Sequence, residues 1–135
     1  MDTTTLVSEF IEDGKRIIEQ LPQDGFEVTA GFWLKAAEEG QWYFYIVSPV
    51  ADQERLNEAY RQLYTLIQQM PEPHWIDPLA VKLIGPSHPL ARDVLGIHER
   101  AAGPKTRPIR WDGNVLGNIS VEGAYLYPLP ATAPR

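Results

Sequence analysis

Apolar residues recur at helical spacing through the first part of the chain. Leu6, Val7, Phe10, Ile11, Ile17, Ile18 and Leu21 fall on one stripe of a 3.6-residue repeat, which predicts a helix over 5–20. The threonines before it offer N-caps, and Pro22 supplies a stop. Gly14 lies on that stripe, where glycine costs about 1 kcal/mol relative to alanine. Close packing against a sheet explains it better than a hinge.

The period then changes to two. Phe26, Val28, Ala30, Phe32 and Leu34 alternate with Glu27, Thr29, Gly31, Trp33 and Lys35, the pattern of a strand with one buried face. Glu38-Glu39-Gly40 is a turn, and 41–47 is the partner strand of an antiparallel hairpin. Ser48-Pro49 opens a second helix, capped by Ser48 or Asp52, whose apolar stripe is Leu56, Ala59, Tyr60, Leu63, Leu66, Ile67 and Met70. Pro71, Pro73 and Pro78 predict an extended loop carrying His74 and Trp75. A short strand over 79–84 precedes a third helix, begun by Pro89, capped by Ser87 or His88, and ended by Gly103-Pro104. The segment 106–111 is a strand, Asp112-Gly113-Asn114 a turn, and 115–127 a long last strand. Ile119 and Val121 share one face of it while Ala124 and Leu126 share the other, a change of phase that predicts a bulge near Glu122-Gly123.

The expected order is α-β-β-α-β-α-β-β. That is an α+β fold, a mostly antiparallel sheet of about five strands with three helices packed on one face. Residues 1–127 are read as a single globular domain, with 128–135 a Pro-rich, flexible tail.

Two Tyr-x-Tyr segments stand out against this frame: Tyr43-Phe44-Tyr45 and Tyr125-Leu126-Tyr127. Side chains two apart on a strand share a face, so four tyrosines stand as adjacent pairs. Trp33 is expected beside Tyr43 and Tyr45, opposite Trp42, Phe44 and Ile46. A strand aromatic on both sides is either covered on both sides or presents a contact surface. Tyrosine and tryptophan suit that role, because they bury area while a polar group stays wet.

Composition narrows the chemistry. The 135 residues are 44% hydrophobic and 22% charged, as in an ordinary globular protein. There is no cysteine, which removes disulfides, thiolate nucleophiles and cysteine-based metal sites. The first residues lack the basic and continuous apolar regions of a signal peptide, and no apolar run is long enough to span a bilayer, so a cytoplasmic location is expected. The net charge of −6 makes nucleic acid an unfavourable partner. The charge is uneven, with the acidic excess in the first sixty residues. Basic residues gather at Arg100, Lys105, Arg107 and Arg110, which with His98 form a candidate anion site. The plainer reading of this stretch is a solvated helix end and a charged edge strand.

His74, His88 and His98 are spaced unlike any compact metal motif, and no metal or cofactor is expected. No serine sits in a nucleophile elbow, and no glycine-rich phosphate loop is present. The expected function is that of a small, soluble, non-enzymatic interaction protein, homo-oligomeric or adaptor-like. Its contact residues would be drawn from Trp33, Tyr43, Tyr45, Tyr125, Tyr127 and Trp75. The alternative is a binder of a small ligand or anion, an enzyme among the options, with a cleft near residues 100–110.

Overall fold

A computed structural model describes residues 8–53, 55–70, 76–101, 107–111 and 115–129. Helix α1 spans Ser8–Gln23 and is followed by β1 (Ala30–Ala36) and β2 (Trp42–Val47). A single turn, α2 (Val50–Gln53), and α3 (Leu56–Gln68) lead through a short 3-10 turn, Pro78–Ala80, into β3 (Val81–Ile84). Helix α4 (Pro89–Arg100) precedes β4 (Ile109–Trp111), β5 (Val115–Leu116) and β6 (Ile119–Leu126). The class is α+β, as the pattern predicts. The sheet has six strands in the order β3-β2-β1-β6-β4, with β5 also paired to β6. It is mixed: β2 and β3 run parallel, because the helical α2–α3 segment joins them, while every other pairing is antiparallel.

Helices cover both faces of this sheet, not one. On the first face Ile17, Ile18 and Leu21 of α1 and Ala59, Leu63 and Ile67 of α3 pack against Trp33, Phe44, Ile46, Val81, Leu83 and Tyr127. On the second, Leu90, Ala91, Val94 and Ile97 of α4 pack against Phe32, Leu34, Tyr45, Val47, Val121, Ala124 and Leu126. All seven residues of β1 are therefore buried, where alternation predicted one wet face. The expected 26–35 strand is shifted. Phe26 and Val28 are buried in the approach to β1, and pairing begins at Ala30.

Local features follow their chemistry. Gly14 is a packing glycine: a Cβ there would lie 2.3 Å from the Tyr127 hydroxyl and 3.1 Å from the Phe44 ring. His88 caps α4, its Nδ1 accepting from Leu90 N at 3.1 Å, with Pro89 in the first turn. Ser48 Oγ accepts from Val50 N at 3.2 Å, starting α2. The expected second helix is interrupted where Arg55 is extended (φ −63, ψ 134), so it appears as two helices. The bulge lies where the phase change places it: Lys35 pairs with Gly123 but Ala36 with Val121, leaving Glu122 extra. That one residue keeps Val121, Ala124 and Leu126 on one face. The last strand does break, however, at Gly117 and Asn118, whose φ values of 55 and 66 make the tight turn between β5 and β6. The turn expected at Asp112-Gly113-Asn114 and the helix stop at Gly103-Pro104 lie outside the described residues, as does the tail beyond Leu129. Among the described residues no helix is long and apolar enough to cross a membrane.

Candidate functional site

The register separates the two tyrosine pairs. Trp33 stands opposite Phe44 on β2 and Tyr125 on β6, whereas Phe32 stands opposite Tyr45 and Leu126. Residues directly opposite share a face. Trp33 therefore shares its face with Tyr125 and Tyr127, and Tyr43 and Tyr45 point to the other side. This corrects the expected grouping of Trp33 with Tyr43 and Tyr45. The hairpin register is offset by one residue from the pairing of apolar sets, which is tolerated because both faces are apolar and both are covered.

Each pair has one buried and one half-exposed member. Tyr127 lies under α1, its hydroxyl donating to Ile11 O at 2.7 Å and accepting from Trp33 Nε1 at 2.9 Å. Trp33 is 2% exposed, with the Phe10 ring stacked at 5.8 Å and Phe44 at 5.1 Å. These two are core residues that tie β1 and β6 to α1. On the opposite face Tyr45 is buried and stacks on Phe32 at 5.0 Å with the rings 4° from parallel. Its partner Tyr43 carries the Lys82 ammonium 4.2 Å from its ring centroid, and Lys82 pairs with Glu39 at 3.0 Å. Tyr125 in turn carries the Arg110 guanidinium at 5.0 Å and meets Tyr127 edge-on at 5.2 Å.

Burial raises the pKa of the Tyr127 hydroxyl far above its usual 10.0, and the hydrogen bond from Trp33 only partly offsets this. A tyrosine held neutral in the fold contributes stability that is complete below pH 10.0 and is lost as pH rises above it, since the unfolded chain ionises first. Stability is expected to fall by about 1.4 kcal/mol per pH unit through this group. Chemical denaturation between pH 9 and 11 measures that slope, which Tyr127→Phe should flatten.

One residue outside the expected set joins the first face. Trp42 lies beside Lys35, and the tip of its indole reaches to 3.2 Å from where a Gly123 Cβ would be. The ring thus crosses β1 and rests on the glycine of the bulge. Trp42 and Tyr125 are both half-buried and pack on the margin of the α1–α3 layer. The indole N–H of Trp42 is buried without a hydrogen-bond partner among the described residues. Below it Lys35 is 7% exposed and pairs with Glu122 at 3.2 Å. Trp42 and Tyr125, half-buried on adjacent rows of this face, and exposed Arg110 over the Tyr125 ring make an aromatic and cationic patch. The sequence signal for Trp42 is its place two residues before Phe44, on the same strand face; without the register, nothing links it to Gly123.

The remaining expected residues do not converge. Arg110 lies on the face of Tyr125, while His98 is buried on α4 on the opposite side of the sheet and Arg100 is exposed at that helix's end. Arg107 is exposed just before β4. Lys105, His74 and Trp75 lie outside the described residues. Several carboxylates are engaged with backbone amides: Asp13 accepts from Ile76 N at 3.3 Å, Asp52 from Ser87 N at 3.3 Å, and Asp93 from Gly117 N at 2.7 Å. A groove bordered by Glu58, Arg61, Gln62, Thr65, Leu66 and Gln69 follows the outer side of α3 alone. Among the described residues no three metal-ligating side chains converge.

Comparison with protein-family models, with curated proteins and with solved structures found no match.

Proposed function

We propose that this chain is a non-enzymatic interaction domain that binds another protein through Trp42, Tyr125 and Arg110. The observation that carries the reading is the half-exposed Trp42–Tyr125 surface with a guanidinium on its tyrosine. Tryptophan, tyrosine and arginine are the residues in which interface energy concentrates, because each buries much area with few soft torsions or many donors. The sheet beneath holds them rigidly: Trp42 and Tyr125 are on adjacent paired rows, and Tyr125 leans on a hydrogen-bonded Tyr127. An anion pocket built from Arg110 and His98 has less support, since the sheet stands between them.

The test is loss of a stoichiometric partner. Wild type and Trp42→Ala/Tyr125→Ser/Arg110→Glu, matched for secondary structure by circular dichroism, are affinity-purified from the protein's own cells and the bound proteins quantified. A partner present at near-equal molar ratio with wild type, and at least tenfold depleted with the variant, is expected. Equal retention by both, or no stoichiometric partner with either, overturns the reading.

A further inference from the structure

The two edges of the sheet are finished differently. At the β3 edge the backbone N–H of Leu83 donates to the Tyr60 hydroxyl of α3 at 2.8 Å, so a helix side chain occupies a position that an added strand would need. At the other edge β4 is the terminal strand, and Arg107 and Arg110 on or beside it are exposed. Among the described residues neither Arg107 nor Arg110 has a carboxylate partner. Arg110 lies over the Tyr125 ring at 5.0 Å, a contact that uses none of its N–H donors.

We propose that β4 is a docking strand for an acidic, extended segment of a partner protein. This rests on the interaction reading above and names the partner's chemistry. The segment would add to the sheet by main-chain hydrogen bonds along β4, with its carboxylates on Arg107 and Arg110. Charge selects the occupant. A second copy pairing β4 antiparallel to β4 would bring like guanidinium groups together, which costs free energy across paired strands. An acidic segment turns the same two charges into attraction.

The probe is a short fluorescein-labelled peptide of alternating Glu and Val, followed by fluorescence anisotropy at low and physiological salt. Three controls accompany it: the same peptide N-methylated at alternate amides, a Lys/Val counterpart, and the protein variant Arg107→Glu/Arg110→Glu, checked for an unchanged unfolding midpoint. Saturable binding of the Glu peptide is expected, weakened at least tenfold by N-methylation and by the variant, and absent for the Lys peptide. No binding, or binding indifferent to N-methylation, overturns the docking strand and leaves the arginines as charges that merely protect an edge. That result leaves the Trp42–Tyr125 surface standing if the purification test still yields a partner.

Discussion

Trp33→Ala is expected to destabilise the fold by about 3–5 kcal/mol, the range for removing a buried aromatic side chain. Trp33 is 2% exposed, contacts Phe10 and Phe44, and donates its indole N–H to Tyr127. Truncation leaves a cavity between α1 and the sheet and an acceptor without its donor. Since domains of this kind are stable by only about 5–15 kcal/mol, the variant should unfold at a much lower urea concentration. Tyr43→Ser serves as the contrast. That residue is half-exposed, with partial packing on the second face, a hydrogen bond from Gln41 and a cation–π contact with Lys82, so its loss is expected to cost about 1–2 kcal/mol, clearly less than that of Trp33. Equal midpoints for the two variants would refute the assignment of Trp33 to the core.

Gly14→Ala is expected to destabilise by about 1–2 kcal/mol, although alanine is the better helix former by about 1 kcal/mol. The added methyl would meet the Tyr127 hydroxyl at 2.3 Å, and that hydroxyl is held by Trp33 and Ile11. The cause is checkable by a double-mutant cycle with Tyr127→Phe. Alone, Tyr127→Phe leaves the buried Trp33 indole N–H without its acceptor and costs about 1–3 kcal/mol. In the Gly14→Ala background it also removes the obstructing atom, so the two losses should sum to clearly more than the double variant shows. Additive losses would mean that the glycine is there for another reason.

Most elements were legible because local chemistry and burial agree. Helix α4 announces itself with a capping His88, Pro89 in the first turn and a narrow apolar stripe. Gly14 on an apolar stripe and the phase change at Glu122-Gly123 pointed to a close contact and a bulge, and both are present. What was not legible is what depends on register. A strand apolar on both faces gives no sign of which face opposes which, and matching the apolar sets puts Trp33 with Tyr43 and Tyr45 instead of with Tyr125 and Tyr127. The Gly117-Asn118 turn competed with Asp112-Gly113-Asn114, a stronger turn signal by composition. The parallel β2–β3 pair follows from the α2–α3 connection, yet period-two patterning carries no direction. The candidate site suffered most. Trp42, Gly123, Tyr125 and Arg110 come from three strands and meet only through pairing, whereas His98 and Arg110, close in sequence, lie on opposite faces of the sheet.

In the proposed mode of binding, half-exposed Tyr125 faces the partner and half-exposed Tyr43 does not. Tyr125 and Tyr43 are similar in exposure, each beneath a cation, on opposite faces of the same sheet. A photo-crosslinking amino acid placed at position 125 or at position 43, in the protein expressed in its own cells, compares them directly. A discrete covalent adduct with one protein from position 125, and none from position 43, is expected. An adduct from position 43 alone, or the same adduct from both, would contradict this mode of binding.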